Sequence, residues 1–216
     1  MFKEIPLSQK TEKRGSKRSK IYGVGINDAP YQTTIKINGL SYVCPYFSRW
    51  KYMLSRCYSK HWLKAHPTYE NCYVVPEWYS FMEFKSWMQK QDWKNKQLDK
   101  DLLSLGEKRY SPDTCIFVSG AVNSLFNERG NISGDMPLGI YLRNGRYEVG
   151  ISKGNATRSW VGSYPTVSEA IDAYICAKQK VAFTLADQER DIVVKNAILN
   201  YSQYFTDKLL LLKTVF

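Results

Sequence analysis

Residues 137–164 read PLGIYLRNGRYEVGISKGNATRSWVGSY, and this stretch decides the fold of the C-terminal half of the chain. Apolar and polar residues alternate in three runs, Leu138–Arg143, Arg146–Ser152 and Thr157–Tyr164, the period of a strand with one buried face. Asn144-Gly145 and Gly154-Asn155 separate the runs, and both pairs tolerate the backbone that tight hairpin turns need. A three-stranded meander follows. Downstream, Thr166 or Ser168 can cap a helix in which Val167, Ala170, Ile171, Tyr174, Ile175, Val181, Ala182 and Leu185 form one broad apolar face. In the middle strand Tyr147, Val149 and Ile151 share the side that packs on this helix. Arg146, Glu148, Gly150 and Ser152 are left facing outward.

Working outward, the 216-residue chain carries 31 Lys and Arg against 20 Asp and Glu, a formal charge of +11. Such an excess points to a polyanionic partner, nucleic acid or an anionic membrane surface. No apolar run approaches the roughly 20 residues of a spanning helix, and the polar, basic N-terminus lacks the apolar core of a secretory signal. A soluble, cytoplasmic chain that associates with the nucleoid is expected, with no membrane partner. Residues 1–20 hold Lys3, Lys10, Lys13, Arg14, Lys17, Arg18 and Lys20 with only Glu4 and Glu12 against them. They read as a disordered basic arm, either a solubilising tail or an element that tracks phosphates.

Trp50, Met53, Leu54 and Cys57 recur at helical spacing between Tyr46 and Tyr58. A short strand at Tyr73–Val75 precedes Pro76-Glu77, which opens a second helix with Trp78, Phe81, Phe84 and Met88 on one stripe. That spacing suits a core better than a base-stacking platform. Next come a strand-like run from Gln97 to Leu103, a loop, the apolar strand Cys115–Val118 and a short helix with Asn123 and Asn127. The last thirty residues form one or two helices that pack back on a domain or make a homodimer contact.

The five cysteines, Cys44, Cys57, Cys72, Cys115 and Cys176, have an odd count and wide spacing, which suits reduced core thiols. Cys57, His61, His66 and Cys72 supply two thiols and two imidazoles, the donor types of a tetrahedral zinc site, but without a CxxC knuckle.

Gly139-Ile140, Arg146–Ile151, Trp160–Tyr164, Ser168–Ala170 and Ala173-Tyr174 together resemble the Apetala-two (ethylene-response-factor) DNA-binding domain. The resemblance covers roughly 50 residues. It implies a sheet lying in the major groove of double-stranded DNA, with Arg158 and Trp160 at matching contact positions. The residues themselves support such a face: Arg143, Arg146, Lys153 and Arg158 cluster around it, beside Glu148 and Ser152. Glu148, Gly150 and Ser152 depart from the polar set of the plant proteins, so the target sequence does not transfer.

The front half, with Arg49–Tyr58, Pro67-Thr68-Tyr69, Pro76-Glu77-Trp78, Leu98–Asp101 and Tyr110–Cys115, resembles a phage or prophage family related to HNH homing endonucleases. The likeness implies a ββα frame and a divalent metal. By strand order Lys100 stands where the general-base histidine belongs, and Asn123 or Asn127 where the last histidine belongs. Both histidines are replaced. Asp99 and Asp101 on one strand face are the remaining candidates to hold Mg²⁺.

The expected fold is α+β, a degenerate HNH-like domain at 21–127 and an Apetala-two-type domain at 137–187. A basic arm at 1–20 precedes them, a linker at 128–136 separates them and a helical segment at 188–216 follows. The expected function is sequence-specific DNA binding without cleavage and without a required cofactor, as in a transcription regulator. The alternatives are a metal-dependent endonuclease around Asp99 and Asp101, and a protein-interaction factor.

Overall fold

An Asn-Gly pair between strands supplies the two left-handed conformations of a type I′ turn. The computed structural model describes residues 2, 4–5, 19–125, 139–152 and 158–214. In it, Asn38 and Gly39 (φ 49° and 78°) join β1 (Thr34–Ile37) to β2 (Leu40–Val43). The chain is mixed α+β and divides into two compact units, Met1–Trp93 with Gly106–Cys115, and Lys94–Leu105 with Ile116–Phe216.

In the first unit Pro45 takes the first helical position of α1 (Pro45–Tyr58), where its missing N–H costs nothing. The apolar stripe of this helix buries Phe47, Trp50, Met53, Leu54 and Cys57. Ser59 caps the short α2 (Lys60–Ala65). β3 (Tyr73–Val74) pairs in parallel with β5 (Arg109–Tyr110), while β4 (Gln97–Asp99) belongs to the second unit. The expected helix from Pro76 is interrupted. Pro76–Tyr79 is a 3₁₀ turn, and Ser80 then caps α3 (Phe81–Gln89) by accepting the Glu83 N–H at 3.1 Å. The aromatic stripe is core, as its spacing predicts: Trp78, Phe81, Phe84 and Met88 are buried, and the Trp50 indole donates to the Trp78 carbonyl at 2.7 Å.

The start of the chain corrects the expected free arm. Glu4 pairs with the buried Lys85 ammonium at 2.6 Å, and the Ile5 carbonyl accepts the Gln32 N–H at 2.8 Å. Residues 6–18, with most of the basic run, lie outside the described residues.

In the second unit β4 pairs antiparallel with β6 (Ile116–Val118), and α4 (Gly120–Leu125) follows. The order strand, strand, helix is as expected, but the first strand stops at Asp99 and turns follow it, instead of a run to Leu103. β7 (Ile140–Arg143), β8 (Arg146–Ser152) and β9 (Arg158–Tyr164) form the antiparallel meander, and Asn144-Gly145 (φ 49° and 72°) makes its first turn. The Gly154-Asn155 turn, the linker at 128–136, Asn127 and Lys153 lie outside the described residues.

α5 (Val167–Gln188) begins at Thr166, whose hydroxyl accepts the Glu169 N–H at 3.2 Å. Its inner face buries Ala170, Ile171, Tyr174 and Ile175 in one core with Ile140, Val149 and Ile151. α6 (Ile192–Lys213) is a single helix that packs on α5. Asp172 pairs with Lys213, Gln179 with Thr206 and Asp187 with Lys195, so the two helices run antiparallel.

The unit boundary differs from the expected one at 128–136. Leu102, Ile116, Val118, Val122 and Leu125 share a core with the sheet and with Val194, Ile198, Phe205 and Leu209 of α6. Apolar burial therefore joins the strand–helix piece expected in the front domain, and the C-terminal segment, to the rear sheet. Much of the apolar surface of α6, expected either to pack on a domain or to make a homodimer contact, is covered within the chain.

Gly139 fixes how the sheet meets its helix. Its φ is +82°, and a Cβ placed there would lie 2.4 Å from Tyr174 and 2.7 Å from the Gly150 carbonyl. Gly139→Ala should therefore cost on the order of 2–4 kcal/mol. Thermal unfolding checks this, and an unchanged midpoint would separate Tyr174 from the seating of the sheet.

Candidate nucleic-acid interface

Alternation in an antiparallel sheet gives each strand two faces, and burying one dictates what the other carries. With Val149 and Ile151 under α5, the register places Tyr141 opposite Glu148 and Arg143 opposite Arg146 on the outer face. It also places Ser163 opposite Glu148, Trp160 opposite Gly150 and Arg158 opposite Ser152. The outer face thus gathers the residues expected from the sequence, with Lys153 outside the described residues and only the backbone of Arg158 described.

Trp160 is 72% exposed. Gly150 directly across from it has no side chain to cover the indole, and a bulge between Val149 and Gly150 shifts the register so that Trp160 and Gly162 bracket Val161. Arg146 reaches across to β9, donating to the Ser163 hydroxyl at 3.1 Å and to the Ser163 carbonyl at 2.9 Å. Arg143 lies 3.7 Å from Glu148. Glu148 is therefore the local counterion of Arg143, a role that its expected place among residues contacting DNA does not convey. The face presents the guanidinium groups of Arg143 and Arg146 beside the exposed indole of Trp160.

Asp99 and Asp101 do not share a strand face. Because β4 ends at Asp99, that carboxylate turns back on its own loop and accepts the backbone N–H groups of Asp101 at 2.9 Å and Leu102 at 2.7 Å. Burial first, and the charge of Asp101 second, push its pKa up to about 6. Lys100 is buried and its ammonium pairs with Asp101 at 2.5 Å. Asn123 donates its amide to Gln97 at 2.6 Å, joining α4 to β4.

Among the described residues no three His, Cys, Asp or Glu side chains gather in a way that holds a metal ion. Cys57 and Cys72 are buried, while His66 stacks on Trp62 with ring centroids 4.1 Å apart. The spacing of Cys57, His61, His66 and Cys72 did not reveal that both thiols are buried and His66 packs on aromatic rings, while His61 is exposed.

The β1–β2 hairpin escaped the sequence reading. Its signal is Asn38-Gly39 flanked by Thr34, Ile35 and Ile37 on one side and Tyr42 and Val43 on the other. Among the described residues no helix is long and apolar enough to cross a membrane.

The raised pKa of Asp99 gives a signed expectation. Its folded-state value lies above the ordinary 3.8, so the folded state holds the proton more tightly and stability falls as pH rises from about 4 to about 6. Asp99→Asn keeps an acceptor for the two N–H groups and removes the charge. The variant should lose this pH-dependent step and match or exceed the wild type in stability at pH 8, as read by denaturant unfolding across pH. A marked loss of stability at pH 8 would show that the ionised carboxylate is favourable in its turn, against the raised pKa.

No protein-family model, no curated protein and no solved structure matches this chain.

Proposed function

We propose that this chain is a sequence-specific double-stranded DNA-binding protein, derived from a phage HNH homing endonuclease and acting in the cytoplasm as a transcription regulator without cutting. The observation that carries the reading is the outer face of β7–β9. The face opposite the α5 contact sets Arg143, Arg146 and the exposed Trp160 on one surface of a basic chain. Guanidinium groups read guanine through paired hydrogen bonds, and Lys and Arg elsewhere neutralise phosphates. Cleavage is left out because the residue at the position of the general base, Lys100, is a buried, ion-paired cation, and Asp99 serves its own turn.

Fragments selected from a genomic DNA pool provide the probe. Arg158→Ala combined with Trp160→Ala should reduce the preference for a selected duplex over random duplex by roughly 10- to 100-fold. Unchanged discrimination would remove this sheet from the reading. Replacing Lys10, Lys13, Arg14, Lys17 and Arg18 with Ser should flatten the salt dependence by roughly 0.9 in log–log slope for each phosphate that the arm no longer neutralises. Substitution is the cleaner test than deletion of residues 1–20, because deletion also strips Glu4 from Lys85. A plasmid containing a selected site should stay intact with Mg²⁺ or Mn²⁺. Metal-dependent cutting that chelation stops would replace the proposal with a nuclease.

A further inference from the structure

The β1–β2 hairpin has features that a solvent-facing ribbon does not need. Ile37 and Leu40 oppose each other as the last pair before the Asn38-Gly39 turn, and they are 48% and 62% exposed. Tyr42 follows on the same face and is also exposed, while its cross-strand partner Ile35 is only 3% exposed and roots the hairpin in the first unit. Among the described residues neither strand pairs with a third. A two-stranded ribbon that shows water an apolar tip gains little by itself, so the tip calls for a partner.

Charge selects the partner. From Ala29 to Tyr69, a span containing the hairpin, α1 and α2, there is no Asp or Glu, but there are Lys36, Arg49, Lys51, Arg56, Lys60 and Lys64. Two copies of this stretch repel each other, whereas a polyanion is drawn to it. An apolar pair at the end of a narrow ribbon has the form of the Ile and Leu wedges that separate stacked bases and kink a duplex. We propose that the β1–β2 tip, Ile37 with Leu40, is a wedge that inserts at a base step and bends the DNA. This rests on the DNA-binding reading, but it invokes a different unit and a different kind of contact from the β7–β9 face.

The test uses the full chain and a duplex of about 30 base pairs with a central, easily unstacked TA step and a dye at each end. Wild type should bind and bring the ends together, with a bend on the order of 20–90°. Ile37→Ser with Leu40→Ser alters only exposed side chains, so the melting temperature should hold. The bend should vanish and affinity should fall roughly tenfold. A variant that binds and bends like the wild type overturns the wedge while sparing the DNA reading, and failure of the wild type to bind any duplex overturns the DNA reading itself. A wild-type dimer that the substitutions convert to a monomer in sedimentation reassigns the tip to self-association and also overturns the wedge.

Discussion

One buried ammonium organises the second unit. Lys178 is 5% exposed, near the middle of α5, and it donates to the Leu125 carbonyl at the end of α4. A charge removed from water is costly unless hydrogen bonds and opposing charge offset the loss. The Leu125 carbonyl offsets part of that loss. The rings of Tyr174 and Phe205, at 5.8 and 5.9 Å, add two electron-rich faces. One group thereby ties α4, and the strands that precede it, to α5 and α6.

The sheet follows from that arrangement. α5 has α6 packed against it and β7–β9 on its other flank, so the meander has one face committed to helix and one left over. The leftover face inherits whatever alternation supplies, here Arg143, Arg146, Glu148, Ser152 and Trp160. Beneath it, Gly139 and Tyr174 meet at a separation that admits no side chain on the glycine.

The meander was legible because period-two alternation and Asn144-Gly145 are local signals, and all three strands fall within two residues of their expected limits. So were α1 and the buried aromatic stripe. The fate of Asp99 was not legible, since alternation cannot say where a strand ends, and one early stop turned a supposed metal ligand into a turn acceptor. The unit boundary was hidden for a different reason. A polar, Gly-rich stretch marks a plausible hinge, but the partners of Val118 and Leu125 lie far along the chain in α5 and α6, and no local pattern announces them. Lys178 was missed because a lysine within an apolar helical face reads as an interruption until the carbonyl it serves is in view.

The two described hairpin turns, β1–β2 and β7–β8, share an Asn-Gly pair, and that economy has a chemical consequence with time. The nitrogen of a glycine that follows asparagine meets no Cβ in attacking the side-chain amide. Ammonia leaves, and water then opens the cyclic imide at one of its two carbonyls, giving aspartate or isoaspartate. At Asn38 the product would put a carboxylate beside the exposed Ile37 and Leu40, inside a span that otherwise has none; at Asn144 it would put one between Arg143 and Arg146. Isoaspartate would also lengthen the main chain by one carbon where each turn sets the register of its strands. Ageing of this kind would begin at these two turns, and each event would add one negative charge to a chain whose formal charge is +11.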